Sequence, residues 1–323
     1  MRVWLKVRAD VARLPKFTME TMIHNLSEFL SLLNEYKAQF SKMHRTGGFI
    51  FRGMSDILWN LLPGIFREYP EKQKSSTIAG ASYSGKIYSA HEYEILSHFR
   101  KEASGLLTHI SPKDDFTWLQ YAQHYGVPTR LLDFTANPLV AMYFCCQSES
   151  ETNGVIWIIN TVAFESWSTS EIICGDMGPD YTREAIINSI MREMRGEFDW
   201  GEVDGEPREK KYRPIMFIPP YIDQRMSAQS SRFLLWGNNQ SALENMIEAD
   251  NEMQLCPGVR FDVQGDQRFL AKLVIPAERK HSIMRELDLL NINEKSIFPG
   301  LDGIGKYINK YYQNNVDDIF EYL

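Results

Sequence analysis

The arrangement of apolar runs predicts an α+β fold, with a mixed or antiparallel sheet covered by helices. Three observations lead there. Short runs at 49–52, 155–159, 215–218, 233–236 and 271–275 have strand character. Amphipathic stretches of helical period precede and separate them. The connections lack the regular strand–helix–strand alternation of a parallel α/β protein.

The first element is a helix over 20–40, where Ile23, Leu26, Leu30, Leu33 and Phe40 recur at helical spacing. Gly47-Gly48 breaks the chain, and Phe49-Ile50-Phe51-Arg52 follows as a strand. Alternation puts Phe49 and Phe51 on one face, Ile50 and Arg52 on the other. Gly53 lets a backbone or a ligand approach closely. Trp59, Leu62, Pro63 and Arg67 lie in a turn-rich stretch, and the Ser- and Gly-containing residues 71–85 form a surface loop. A helix over 89–107 has Ile95, Phe99, Ala103 and Leu106 as its apolar stripe. Asp114 or Asp115 caps the next helix, which ends at Gly126 with Pro128 beyond.

Asn137-Pro138 supplies a capping side chain and a residue suited to the first helical position, so 139–146 is a short apolar helix. Val155 to Ile159 is a strand buried on both faces. Residues 165–211 are acidic and contain one amphipathic helix over 182–195 on Ile186, Ile190 and Met194, which reads as an insertion or a cap. The strand at 215–218 stops at Pro219-Pro220, and helices at 278–290 and 301–312 close the chain. The division expected is an N-terminal helical segment (1–46), a main domain (47–312) carrying the 165–211 insertion, and a tail (313–323).

With 35 Lys and Arg against 42 Asp and Glu, the formal charge is −7. That argues against nonspecific duplex binding and leaves a nucleic-acid-acting enzyme as the weakest alternative. No apolar run approaches the roughly 18 residues of a membrane span, so no membrane partner is expected. The start, MRVWLKVRADVARLPK, is broken by charges and is not a secretion signal. Cys145, Cys146, Cys174 and Cys256 form no CxxC pair, and free thiols in a cytoplasmic protein are the expectation. No metal is predicted, although Asp133, Asp223 and Glu278 are carboxylates that a metal would need gathered. Walker, HExxH and GxSxG motifs are absent from the sequence, so serine or zinc hydrolase chemistry has no support.

Polar residues concentrate in three segments: Phe51-Arg52-Gly53, QHYGVPTRLLDFTANP at 123–138, and DQRMSAQSSRF at 223–233. Together with Trp59, Leu62-Pro63 and Arg67, LAKLVIP at 270–276 and IFPGLDGIGKYI at 297–308, they resemble the FRG-domain family over about residues 48–312. The family is named for the motif at 51–53 and occurs in bacteria and phages beside mobile or defence genes. The chain is also distantly similar to the ADP-ribosyltransferase fold. Phe51-Arg52-Gly53 is like that fold's aromatic-Arg-Gly strand. Asp133-Phe134-Thr135 stands where its small-hydroxyl motif would be, and Gln229 where its last polar residue would be. The Ser-Thr-Ser and Glu-x-Glu of that pattern are missing here.

The resemblance implies NAD as ligand or substrate. Arg52 would clamp the pyrophosphate, because a planar fork of donors suits phosphate oxygens. Arg52, Thr135, Gln229, Asp133 and His124 are the catalytic candidates. Gly53, Tyr125, Arg130, Phe134 and Asn137 are the binding candidates, with Tyr125 or Phe134 stacking on nicotinamide. The helix after Asn137 adds a positive dipole end. Each has a structural alternative: Arg52 pairing with Asp133, Arg130 in a salt bridge, His124 hydrogen-bonded at a helix end, Asn137 as a cap, Gln229 bracing strands. Arg52, Thr135 and Gln229 are expected to share one open hollow. The functions left open are an NAD-dependent transferase or glycohydrolase, with a protein acceptor in the former case, and a non-catalytic sensor or interaction module.

Overall fold

A computed structural model describes residues 21–42, 48–67, 91–111, 113–148, 151–174, 183–197, 200–203, 206–209, 213–252 and 270–314. The loop expected at 71–85, Cys256 and most of the 313–323 tail lie outside these. The strands in chain order are β1 (Thr21–Met22), β2 (Phe49–Met54), β3 (Leu131–Thr135), β4 (Gly154–Asn160), β5 (Trp200–Val203), β6 (Glu206–Glu209), β7 (Ile215–Phe217), β8 (Ser231–Leu235) and β9 (Leu270–Ile275). β5 and β6 form a separate hairpin. The others make one mixed sheet in the order β1-β9-β4-β2-β3-β8-β7, antiparallel except where β1 joins β9. The fold is α+β, as the irregular interleaving of strands and helices predicts.

The helices are α1 (Leu26–Lys42), α2 (Glu92–Ala103), α3 (Asp115–His124), α4 (Pro138–Cys146), α5 (Thr161–Cys174), α6 (Arg183–Met194), α7 (Gln224–Ala228), α8 (Leu243–Glu252), α9 (Ala277–Leu289), α10 (Glu294–Ile297) and α11 (Leu301–Asn314). Their starts follow from local chemistry. The Asp114 side chain accepts from the Thr117 N–H, and Asn137 accepts from Leu139 ahead of Pro138. Gly126 ends α3 at a φ of 80°, a conformation that glycine adopts without strain.

Register sorts the side chains onto two faces. On the first face, Ile50, Met54, Leu132, Phe134, Val155, Trp157, Ile159 and Leu234 pack with the 57–66 segment, α5 and α8. The second face carries two separate cores. One joins β3, β7 and β8 to α2, α3 and α6; the other joins β2, β4 and β9 to α1, α4 and α9. The seam between them follows the junction of β2 with β3. β4 is buried along its whole length because both faces are covered there.

Several expectations shift. Helix α1 starts at Leu26, and its phase buries Phe29 and Tyr36 while Leu30 is exposed. α2 stops at Ala103, so Leu106 is exposed and Leu96 takes the core position. Helix α6, within the 165–211 stretch, packs into a core. Ile186, Ile190, Met191 and Met194 of α6 pack with Leu96 and Trp118, and Arg195 pairs with Asp115 at 3.0 Å. No helix of the described residues is long and apolar enough to cross a membrane.

Candidate functional site

The seam is where the sheet is thinnest in backbone pairing. β2 runs beside β4 for its full length, but it is registered with β3 at a single pair, Phe51 with Thr135. One residue on, Arg52 points to the first face. Cross-strand, it stands beside Trp157 of β4, while Phe134 of β3 flanks it on the other side. The row continues to Lys272 beyond Trp157 and to Arg232 beyond Phe134. Lys272 Nζ lies 5.5 Å from the Trp157 ring centre. Among the described residues none of these three cations is in an ion pair.

Arg52 is partly exposed. Its Nη1 donates to the Asp133 carbonyl at 2.5 Å, while its Nε is buried without an acceptor. Burial pulls its pKa down to about 10; Asp133 works against that fall and Arg67 adds to it. The neighbouring Trp157 Nε1 is likewise buried without an acceptor. A buried donor left in that state costs about 1–3 kcal/mol, so two on adjacent strands demand a reason.

The expected trio does not share one hollow. Thr135 pairs with Phe51, so it faces the second side of the sheet, opposite Arg52. Its buried hydroxyl donates to the Gln229 carbonyl at 2.5 Å and accepts from the Asn137 N–H at 2.9 Å. The Gln229 carboxamide donates to the Ile297 carbonyl at 3.3 Å. Asn137 spends its side chain on the α4 cap. A side chain at Gly53 would meet the Ala141 carbonyl oxygen of α4 at 1.8 Å, so this glycine admits a helix rather than a ligand. Arg130 is buried, bonded to both oxygens of Glu92 and to the Trp236 carbonyl, which makes it a brace. Phe134 lies in the first-face core.

A second polar group gathers at the end of α3, along the same seam. The exposed Asp133 carboxylate accepts from Gln123 Nε2 at 2.5 Å. Thr129 donates to Gln123 Oε1 at 2.6 Å and so fixes which end of that amide meets Asp133. His124 Nε2 lies 2.5 Å from Asp223 Oδ2, and the other Asp223 oxygen accepts from Met226 N to cap α7. Burial lowers the His124 pKa; Asp223 opposes this, Arg225 reinforces it, and Asp133 opposes it. The imidazole is therefore neutral near pH 7, with a carboxylate to orient it, the arrangement of a general base. Tyr125 is 65% exposed and meets the His124 ring edge-on at 5.0 Å.

Sequence reasoning passed over Gln123, Arg225, Trp157 and Lys272, and took Asp223 only as one of three carboxylates. Among the described residues no group of three His, Cys, Asp or Glu is placed to hold a metal. A signal for two of the others was present. Trp157 interrupts an aliphatic strand, and Lys272 is a lone charge within LAKLVI.

Residues 47–154 match the family model of the FRG domain. The chain carries an FRG domain. The FRG segment runs through β2, α3, β3 and α4 to the first residue of β4, and it holds Arg52, Gln123, His124 and Asp133. The FRG sheet is completed from outside the match by β1, β7, β8 and β9, and Trp157, Asp223 and Lys272 also come from there. No curated protein and no solved structure matches the chain.

Proposed function

We propose that the FRG domain, with the strands that complete its sheet, binds a nucleotide of the NAD class. It acts on the nicotinamide–ribose bond, as an ADP-ribosyltransferase with a protein acceptor or as an NAD glycohydrolase. The observation that carries this reading is the position of Asp133. Its main chain holds the Arg52 cation on the first face. Its exposed carboxylate, two residues from Thr135 and so on the second face, sits by Gln123 and His124. A ligand serving both spans the seam where β2 and β3 share one registered pair. The two charges suit two needs of one reaction. A pyrophosphate calls for a desolvated guanidinium. As the bond from the ribosyl carbon to nicotinamide breaks, its electron pair leaves with nicotinamide and positive charge develops on the sugar. A carboxylate stabilises that charge. The new bond forms to the oxygen of water or an acceptor hydroxyl, whose proton passes to neutral His124. Tyr125 offers an exposed ring for stacking. Consumption of NAD fits a part in bacterial or phage defence.

The test is release of free nicotinamide from NAD by the pure full chain. Steady release is expected, reduced about 10²-fold or more in His124→Gln and Asp133→Asn. Binding without release would instead support a second reading, a non-catalytic nucleotide sensor. The observation favouring it is that Thr135 and Gln229, the residues a transferase would use, have their side chains bonded within the fold.

A further inference from the structure

The geometry points to a phosphoryl-oxyanion site on the first face of the sheet, built by Arg52 Nε, Trp157 Nε1 and the Lys272 ammonium. Arg52 and Trp157 are registered partners on adjacent strands and share a face. Trp157 is 7% exposed, yet its indole N–H meets no acceptor. Arg52 Nε is in the same state. Buried donors in native proteins are almost always satisfied, and two neighbouring exceptions mark the place of an acceptor that the chain itself does not supply.

Charge identifies that acceptor. Lys272 follows Trp157 in the row with its Nζ over the indole ring, and Arg67 adds repulsion at Arg52. Among the described residues, neither Arg52, Lys272 nor Arg67 is in an ion pair, in a chain of net charge −7. A neutral acceptor such as water would satisfy the two N–H groups but would add no negative charge to the partial offset that Asp133 gives Arg52. A phosphoryl group offers several acceptor oxygens together with the missing negative charge. The site deepens the nucleotide reading by naming the donors, and it also stands alone, because free pyrophosphate has the same chemistry.

The test uses the full chain labelled with ¹⁵N and titrated with inorganic pyrophosphate at constant ionic strength. The Trp157 indole N–H resonance, assigned by its absence in Trp157→Phe, is expected to shift saturably. Calorimetry is expected to give at least a tenfold weaker pyrophosphate affinity for Trp157→Phe, which keeps an aromatic ring and removes only the indole donor. If Trp157→Phe does not fold, Lys272→Met is expected to show a similar loss of pyrophosphate affinity by calorimetry. An unmoved resonance, or wild-type affinity in the variant that folds, overturns the site. NAD added in parallel separates the two proposals. Pyrophosphate binding without NAD binding keeps the oxyanion site and removes the nucleotide reading. NAD binding that is equal in wild type and variant removes the oxyanion site and keeps the nucleotide reading.

Discussion

The Arg52 guanidinium is held by the main-chain carbonyl of Asp133, not by its carboxylate, which goes to Gln123. A backbone carbonyl fixes the direction of a cation without neutralising it. Arg52 therefore keeps a full positive charge next to aromatic neighbours, at an energetic cost to the fold.

That cost predicts a trade between stability and binding. Arg52→Met removes a desolvated cation and fills the same volume. Its melting temperature is expected to equal or exceed that of wild type, by up to about 1 kcal/mol in stability, while anion binding is lost. A clear drop in melting temperature would make Arg52 a structural brace.

Gly53 gives a sharper structural test. Ala141 and Cys145 of α4 present backbone atoms 1.8–2.8 Å from where a methyl group would lie. Helix backbone cannot swing aside as a flexible side chain can. Gly53→Ala is expected to cost about 3 kcal/mol or more, the upper end for overpacking, read as a shifted denaturation midpoint.

Arg130 and Glu92 form a buried pair with two-point contact. Removing one partner strands the other, so Glu92→Gln is expected to destabilise the protein by about 3–5 kcal/mol. Any loss of ligand binding should follow unfolding only. Selective loss of binding in a fully folded Glu92→Gln protein would return Arg130 to the site.

His124 predicts a pH dependence. Burial holds its folded pKa below the unfolded value near 6.5. As pH falls, the unfolded chain takes up a proton before the folded chain does. The stability His124 contributes is thus complete above about pH 6.5 and is lost as pH drops through the lower, folded value. The melting-temperature difference between wild type and His124→Gln should be flat from pH 7 to 8 and shrink below 6.5. Asp223, Asp133 and Arg225 all act on the ring. Arg225→Gln removes a charge that lowers the folded pKa, so the loss below pH 6.5 should become smaller. A difference unchanged down to pH 5 would contradict the buried, neutral imidazole.

Much of the fold was legible because its signals are local. The Asn137-Pro138 start, the Gly126 stop and the continuous run of β4 each depend on a few adjacent residues. β3 was hidden because Asp133 and Thr135 break the apolar pattern of an otherwise buried strand, for reasons set by partners elsewhere, Gln123 and the Gln229 carbonyl. β1 is too short to have a period. The site was half legible. Strand alternation already placed Arg52 on the face opposite Phe51, but only the Phe51–Thr135 register shows that Thr135 lies on the Phe51 side. The pairing of Trp157 with Arg52 is a matter of strand order, which no local pattern encodes.

The most direct measurement is calorimetric titration of NAD into the wild-type chain and into Arg52→Gln, with melting curves to confirm that both are folded. Saturable binding to wild type is expected, weakened at least tenfold in the variant. Equal binding to two folded proteins, or none to wild type, would contradict the assignment of Arg52 as the cation that receives the nucleotide.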